Sequence, residues 1–322
     1  MLTEIDKKIL GHLYHNQRES YTKIAKKLNL SRTQVEYNIK KYIENGLIKS
    51  FVTIFDLNMF DYNQPIAIFV KLNKLSQRQN FLDKVPIKNL QGYGKVLNKY
   101  DLYLNLIFKD DLEKNKILSE ILFNDFVFDY RITEPFEGGL FPLKFLGIEQ
   151  NSNYFSYDSK VKTTYNLSQN DKNILECLKH NGRIKIIDIS IKTGVSPELI
   201  LYKINKWKKD GLILGNRIIF DMKQLGYYFT VIQVNIANMS KDNKYRIKKL
   251  AHDNNNVTSY GITNSKPNCF FNLTHRNYED IILFLDSLNE IFKDDKIESE
   301  IISIKEEEYI NLLPFLNPPS TL

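Results

Sequence analysis

Few residues of this 322-residue chain have the types and spacing that catalytic or metal-binding chemistry requires. His12 and His15 stand three positions apart, as two ligands on one helical face would, but the sequence offers no evident third ligand. The two cysteines, Cys177 and Cys269, are too few for a disulfide framework or a four-cysteine metal site, and we expect small buried side chains. No Ser/His/Asp or Cys/His arrangement supplies a nucleophile. The sequence therefore predicts no catalytic residues, no metal site and no cofactor.

Chemistry of recognition, through hydrogen bonds and positive charge, is instead concentrated in one stretch, "LSRTQVEYNIKKYIENGLIKSFVTIFD", which runs from Leu30 to Asp56. Ser31 can cap a helix, and three apolar residues follow it at the spacing of one buried helical face. These three are Val35, Ile39 and Tyr42. The residues that point the other way are Thr33, Tyr37, Lys40 and Glu44, with Arg32 in the first turn.

The composition sets wide limits on partners and location. The formal net charge of +7 permits a polyanionic partner without requiring one, because many lysines are simply solvated surface. Richness in Lys, Asn and Ile is explained equally well by an AT-rich genome. The sequence has no apolar run of about 18 residues, as a transmembrane helix needs. It also begins without the basic head and apolar block of a signal peptide. We therefore expect a cytoplasmic protein.

The chain carries the same pattern twice. Asp6 and Asp171 stand in matching contexts, and 171 − 6 = 165 residues separate them. This offset aligns about 60 residues without a gap, with roughly a third of them identical, which indicates tandem duplication of a whole unit.

The first part of each copy reads as a winged helix-turn-helix. Thr3 and Ser168 are predicted helix caps with an acid three residues later, the arrangement of a capping box. Ser31 and Ser196 are predicted to cap the third helix of each copy, after a tight turn. The residues that follow, "LIKSFVTIFD" in the first copy, are predicted as two short strands that form a wing.

The second part of each copy reads as strand, helix, two strands, helix and strand. This βαββαβ order is typical of a ferredoxin-like sandwich. The fold class is therefore α+β, with two winged and two ferredoxin-like domains in tandem. The predicted segments are a winged domain over 1–60, a ferredoxin-like domain over 64–150, a linker over 151–166, a second winged domain over 167–225, and a second ferredoxin-like domain over 227–317.

A winged helix followed by βαββαβ is the layout of the Lrp/AsnC family of transcription regulators, and this chain resembles two such proteins fused. The segments that carry the resemblance include "LTEIDKKIL", "IAKKLNLS" and, in the second copy, "LSQNDKNIL". The resemblance implies that the winged domains bind double-stranded DNA through the helix after the turn. It also implies that the sandwich domains dimerise and sense small effectors, often amino acids.

Carried over to this chain, the resemblance makes the segment from Ser31 to Asn45 a reading helix in the major groove. Arginine can hold guanine, and glutamine adenine, through paired hydrogen bonds, whereas lysines near phosphates fix position only. The predicted DNA-contacting residues are Ser31, Arg32, Thr33, Gln34, Tyr37, Asn38, Lys40, Lys41, Lys203 and Lys206. The alternative is a helix face that is merely solvated. In the second copy, Glu198 and two leucines at the entry end suit a protein contact better than a groove.

The effector site departs from the family pattern of a glycine three residues before an aspartate. The matching residues are Asn98 and Asp101 in the first copy, and Ser265 and Asn268 in the second. Asparagine tolerates the backbone conformation that glycine provides but adds bulk. The second copy also lacks the acid that could meet an ammonium group. The sequence thus argues against amino-acid sensing, and Asp101 is alternatively an ordinary turn residue.

Two other functions compete with DNA binding. Sirohaem decarboxylases resemble fused or paired Lrp/AsnC units, and they typically carry an Arg-Arg-Ile-Gly run at the wing. The wings here read "KSFV" from Lys49 and "LGNR" from Leu214, so neither supplies the arginine pair that could hold porphyrin carboxylates. The second alternative is a ligand-sensing adaptor that has lost DNA binding.

The duplication itself predicts an intramolecular pseudo-dimer. A βαββαβ unit leaves one sheet face uncovered by its two helices, and an apolar face must be buried. The predicted linker is long enough for the second sandwich to reach the first, so we expect the two sheets to pair within one chain. Further pairing between chains stays open.

Overall fold

The computed structural model describes residues 2–148, 153–156 and 164–316. These residues form two compact units, each of which combines like parts of the two copies. The first unit holds both winged domains, and the second holds both ferredoxin-like domains. None of the helices in the described ranges combines the length and apolar character that a membrane span requires.

The elements follow the duplicated order. The helices are α1 (Glu4–Asn16), α2 (Tyr21–Leu28), α3 (Arg32–Glu44), α4 (Arg78–Leu82), α5 (Asp111–Leu122), α6 (Gln169–His180), α7 (Ile186–Thr193), α8 (Pro197–Asp210), α9 (Lys241–Asp253) and α10 (Tyr278–Ile291). The strands are β1 (Ile48–Phe55), β2 (Gln64–Leu72), β3 (Leu90–Val96), β4 (Leu102–Phe108), β5 (Val127–Thr133), β6 (Pro135–Leu140), β7 (Asn153–Ser156), β8 (Ile213–Phe220), β9 (Tyr228–Ile236), β10 (Val257–Thr263), β11 (Cys269–His275) and β12 (Ile297–Ile310).

The predicted caps of the winged domains are confirmed. The Thr3 hydroxyl accepts from the Asp6 amide at 3.2 Å, and the Asp6 carboxylate accepts from the Thr3 amide at 2.7 Å. Ser168 forms the equivalent capping box in the second copy. The hydroxyls of Ser31 and Ser196 likewise accept from amides in the first turns of α3 and α8. These bonds satisfy amide groups that a helix start otherwise leaves unpaired.

The predicted two-stranded wing is wrong. Each copy contributes a single long strand, and β1 of the first copy pairs antiparallel with β8 of the second. The Asp56 amide donates to the Leu212 carbonyl at 2.9 Å, and the Asp221 amide donates to the Leu47 carbonyl at the same distance. In the first copy, Ile48–Phe55 contains no Gly, Pro, Asn or Asp that would fold it back on itself. In the second copy, Gly215 and Asn216 lie inside β8, where they pair with Ile54 and Thr53 of β1 instead of forming a turn.

The second unit confirms the ferredoxin-like topology. The first copy orders its strands β5-β2-β4-β3 and the second orders them β12-β9-β11-β10, which is the 4-1-3-2 order of βαββαβ in both cases. Each sheet buries one face under its own helices, with Phe81 and Ile121 in the first core and Phe284 in the second. Helix α4 has only five residues, and Pro86 follows soon after it.

The closing strands cross from one copy to the other. The first half of β12 pairs with β9 of its own copy, and its second half pairs with β3 of the first copy. The equivalent stretch of the first copy is interrupted at Glu134, between β5 and β6, and β6 pairs with β10 of the second copy. The exchange is therefore reciprocal, and it joins ten strands of the described chain into one sheet.

Within this sheet, the four strands of each copy also have a face without helices, and these two faces share a core. Aromatic and aliphatic side chains from both copies pack there, as predicted for an uncovered apolar face that must be buried. They include Phe69 and Tyr103 of the first copy and Val231 and Ile302 of the second.

Part of the predicted linker, 151–166, is strand rather than loop. Its residues Asn153–Ser156 form β7, which pairs with β6. At its end, the Tyr165 amide donates to the Met59 carbonyl at 2.8 Å. Residues 151, 152 and 157–163 lie outside the described residues. Beyond the second sandwich, residues 312–316 belong to the unit of the winged domains, where Leu316 accepts a bond from Lys179 at 2.9 Å.

Candidate nucleic-acid interface and effector cleft

Helix α3 is fixed by its inner face. Val35, Ile39 and Tyr42 are buried, as their spacing predicts. The Tyr42 hydroxyl donates a short hydrogen bond to the carboxylate of Asp6, which is also the acid of the α1 capping box. Burial, and then this bond, raise the pKa of the Tyr42 phenol well above its ordinary range. The bond ties α3 to α1 and leaves the opposite face of α3 outward.

That outward face carries most of the predicted DNA-contacting residues of the first copy. The exposed ones are Ser31, Arg32, Thr33, Tyr37, Lys40 and Lys41. Gln34 is half-buried. Asn38 is also half-buried, and its side-chain amide donates to the Gln34 carbonyl at 2.9 Å. The Ser31 hydroxyl already accepts the capping bond from the Gln34 amide. The exposed polar side chains in the first two turns of α3 are those of Arg32, Thr33 and Tyr37.

One carboxylate on the same helix moderates this charge. Glu36 lies 3.0 Å from the Lys40 ammonium and 4.0 Å from the Arg32 guanidinium. The hydrogen bond to Glu36 raises the pKa of Lys40, so this lysine stays charged. A phosphate that approached α3 would compete with Glu36 for both cations.

In the second copy the structure conflicts with one predicted contact. Lys203 of α8 does not extend outward, because its ammonium pairs with the buried Asp171 carboxylate at 2.6 Å. Burial would raise the pKa of Asp171, but bonds from Lys203 and Ser168 outweigh burial and hold that pKa below its ordinary value. Trp207 occupies the position that Tyr42 holds in the first copy, and Lys203 supplies the partner for the acid instead.

The remaining outward face of α8 differs from that of α3. Lys206 is exposed, as a phosphate contact requires. However, Leu199 and Leu201 are 41% and 51% exposed beside the exposed Glu198. The equivalent tyrosines, Tyr37 and Tyr202, are each 62% exposed. The outward faces of α3 and α8 therefore share an exposed tyrosine and differ in their other side chains.

The predicted effector residues are engaged in contacts within the protein. The Asp101 carboxylate accepts from the Lys71 ammonium at 2.9 Å and from the Leu72 amide at 2.8 Å. Asn268 of the second copy does the same for its own first strand, where it accepts from the Ile236 amide at 2.9 Å. Asp101 therefore fastens the end of β2, which fits the turn-residue alternative rather than an ammonium-binding acid.

Asn98 also has a structural role. Its side-chain amide donates to the Ile301 carbonyl at 2.5 Å, and its oxygen accepts from the Ser303 amide at 3.3 Å. It thus holds β12 of the second copy as a neighbouring strand would. A glycine at this position would let a ligand come close to the backbone. Here the Asn98 side chain occupies that space.

A cleft of about 660 Å³ lies beside these two residues in the second unit. Four of its lining residues are cationic, and sequence reasoning missed all of them. They are Lys71, Arg78, Lys95 and Lys305. Three of the four meet carboxylates of the protein: Lys71 meets Asp101, Arg78 meets Glu308, and Lys95 meets Glu306 and Glu308. The residues come from three strands and helix α4, so no sequence spacing marks them as a group.

Neither metal-binding nor thiol chemistry is evident in the described ranges. No group of three or more His, Cys, Asp or Glu side chains there could hold a metal ion. Cys269 is buried, as expected, and burial raises the pKa of its thiol to about 12. Cys177 is only half-buried, so the expectation of a buried side chain is wrong for this cysteine.

Sequence comparisons point to DNA-binding regulators. The family model described as winged helix-turn-helix DNA-binding matches residues 2–49 and again residues 167–213. An uncharacterised HTH-type transcriptional regulator of Pyrococcus abyssi is 30% identical over 124 residues, which are 38% of this chain and 83% of that protein. The regulatory protein AsnC of Haemophilus influenzae is 30% identical over 99 residues, 31% of this chain and 66% of that protein.

Structural comparison finds one fold shared along nearly the whole chain. The sirohaem decarboxylase NirDL superposes with a TM-score of 0.63 at 15% identity, covering 96% of this chain and 94% of the other. Its complex with an iron-uroporphyrin III analogue gives the same TM-score at 14% identity, covering 97% and 96%. At such identity the likeness shows the fold alone. Through its sequence relatives and its two winged domains, the chain belongs to the Lrp/AsnC family of transcriptional regulators, with the family's unit present twice.

Proposed function

We propose that this regulator recognises a specific DNA sequence chiefly through α3 of its first copy. The observation that carries the proposal is the exposed first half of that helix, where Arg32, Thr33 and Gln34 follow the Ser31 cap. A helix of these dimensions fits the major groove, where bases present distinct donor and acceptor patterns. Arg32 would hold a base edge, and Lys40 and Lys41 would hold phosphates.

The second copy plays a different part in this proposal. Lys206 is available to a phosphate, but Lys203 is not, since it neutralises Asp171. The exposed leucines of α8 would be poorly placed against phosphates and better placed against thymine methyl groups or a protein. We therefore expect α8 to contribute affinity with less base selectivity than α3.

Mobility-shift and footprinting experiments with DNA from upstream of the protein's own gene test this function. Arg32→Ala should weaken binding to the selected site by about 1–3 kcal/mol and relax the preference at one base pair. Lys41→Ala should weaken binding to all sequences and flatten the salt dependence, because one fewer counterion is released. The control is Lys116→Ala, which removes an exposed charge from the second unit. Unchanged affinity and sequence preference in Arg32→Ala would contradict the assignment.

We further propose that the cleft beside Asn98 is the effector site and that it takes a ligand with acidic groups. The cleft is lined by four cations and one carboxylate, Asp101, and this excess of positive charge favours carboxylates or phosphates. Lys71, Arg78 and Lys95 also meet carboxylates of the protein, with which an acidic ligand would compete. A ligand that binds only the folded state raises the melting temperature. A dicarboxylate or sugar phosphate should therefore stabilise the protein more than leucine does. Lys305→Ala should abolish the effect and Lys249→Ala should not. Stabilisation by leucine alone would contradict this ligand class.

A tetrapyrrole-binding enzyme is the second candidate, and the observation that favours it is the fold shared with NirDL over 96% of the chain. The cationic cleft could pair with porphyrin carboxylates. Against it, neither wing carries an arginine pair. Titration of the purified protein with haem and iron-uroporphyrin separates the two functions. Saturable absorbance changes at stoichiometric ligand would support the enzyme, and their absence would leave the regulator.

A further inference from the structure

Two positions that are equivalent in the two copies face each other across the intramolecular interface, and at both the copies differ. The first position lies in the sheets. Strands β2 and β9 are nine residues each, with Phe69 and Gln233 at their sixth positions. The neighbouring closing strands place Arg131 opposite Phe69 and Glu300 opposite Gln233. Arg131 and Glu300 are therefore counterparts.

These counterparts form an ion pair with each other. The Arg131 guanidinium donates to the Glu300 carboxylate and, at 2.8 Å, to the Gln233 side chain. Both side chains are largely buried, with 25% and 29% of their surface exposed. Lys99 adds a second cation 3.0 Å from Glu300. Burial would raise the pKa of Glu300, but the bonds from Lys99 and Arg131 hold that pKa below its ordinary value.

The second position lies in the unit of the winged domains, where Gln17 corresponds to Gly182 because 182 − 17 = 165. The surrounding contacts are reciprocal. Arg18 donates to the Gly182 carbonyl at 2.9 Å, and its counterpart Arg183 donates to the Gln17 carbonyl at 2.5 Å. These contacts are nearly symmetric, but the first copy has a glutamine side chain at this position and the second copy has none.

Gln17 fills the space that Gly182 leaves. It is fully buried, and its amide donates to Asn216 at 2.7 Å and to the Val52 carbonyl at 3.3 Å. A Cβ atom on residue 182 would overlap the Gln17 amide nitrogen and would lie 2.8 Å from the Thr53 hydroxyl. The frame thus accommodates one glutamine and one glycine.

We infer that the two copies are matched to each other and reject copies of their own kind. Pairing of two first copies would set Arg131 against Arg131 and Gln17 against Gln17. Pairing of two second copies would set Glu300 against Glu300 and leave a void at Gly182. Like charges in a partly buried contact, and overlapping side chains in a packed one, are the means by which interfaces exclude wrong partners. The selected partner of the first copy is a second copy, independently of any DNA function.

Charge exchange in the full-length chain tests the first position. Glu300→Arg places an arginine against Arg131, as in a pair of two first copies. Arg131→Glu places a glutamate against Glu300, as in a pair of two second copies. Each should lower the folding equilibrium constant by about tenfold or more, and the double exchange Arg131→Glu with Glu300→Arg should recover most of that loss. The matched control reverses Glu290, in the last turn of α10, and Lys293, just beyond that helix, an exposed pair at 2.9 Å, and should change little. If a single exchange does not fold, recovery of a folded chain by the double exchange still supports the inference.

The second position is tested by Gly182→Ala in two backgrounds. It should destabilise the chain strongly beside Gln17 and much less beside Gln17→Ala, because the overlapping amide is then gone. The inference would be overturned if the two single substitutions had additive effects on stability both for Arg131 with Glu300 and for Gln17 with Gly182. In that case the double charge exchange would recover none of the lost stability. Additivity at one position alone would overturn it for that unit.

Discussion

At the scale of single residues, both copies bond the third helix to an acid of the first helix, but they use different residues of the third helix to do so. Asp6 and Asp171 are the capping-box acids of the first helix in each copy, and each accepts a hydrogen bond from the third helix. Tyr42 supplies it in the first copy, and Lys203 supplies it in the second. The capping acids could be predicted from their spacing. The use of Lys203 could not, because it depends on how α8 packs against α6.

The Lys203 pair has a stability consequence that can be measured. Lys203→Met should destabilise the protein by about 1–3 kcal/mol at neutral pH, because it leaves a buried carboxylate without its strongest partner. The folded pKa of Asp171 is depressed. The stabilisation is therefore complete above the unfolded value of about 3.9 and is lost as pH falls through the folded pKa.

Urea denaturation as a function of pH checks this prediction. The difference between wild type and Lys203→Met should shrink at acidic pH. Lys206→Ala is the control, and an exposed lysine on the same helix should change stability by no more than about 0.5 kcal/mol. A pH-independent difference would assign the effect of Lys203 to packing instead of charge.

At the scale of elements, Asp101 illustrates how a family position can change its use. It fastens the end of β2, as Asn268 fastens the end of β9. Asp101→Asn should therefore be tolerated, since asparagine already performs this task in the second copy, whereas Asp101→Ala should cost about 1–3 kcal/mol. Chemical denaturation of both variants measures the costs. If Asp101→Asn lost the response to ligand but kept its stability, Asp101 would have to be assigned to effector binding.

Element types were largely predictable and their partners were not. Caps, helical periodicity and strand order follow local rules, so the winged and ferredoxin-like modules could be read from the sequence. The wing could not, because the partner of β1 is a strand in the other copy. Nor could the cationic cleft, whose residues come from β2, β3, β12 and the segment around α4. The outward face of α3 was predictable because it depends only on helical spacing.

At the scale of the whole molecule, the pairing of unlike copies predicts unlike half-sites. The first reading helix begins Arg32-Thr33-Gln34 and the second begins Pro197-Glu198-Leu199. A DNA site selected from a random pool should therefore lack perfect palindromic symmetry. A short perfect palindrome, bound by one chain, would contradict this expectation.

The interface within each unit also predicts that the halves associate. Fragments ending at Gln150 and starting at Tyr165 should co-elute when mixed at tens of micromolar, since each brings a strand that completes the edge of the other's sheet. Arg131→Glu in the first fragment should weaken their association, and Glu300→Arg in the second should restore it. Two folded fragments that elute separately would contradict intramolecular pairing.

The exchanged closing strands have a consequence for synthesis on the ribosome. Lys95 of β3 meets Glu306 of β12, and 211 residues separate them. At typical elongation rates of about 5–20 residues per second, the edge of β3 waits on the order of 10–40 s for its neighbour. During that interval the nascent chain exposes an unpaired strand edge, which is a template for aggregation. The last strand to be synthesised is therefore the one that protects the first half, and chains that stop before Ile297 should depend most heavily on chaperones.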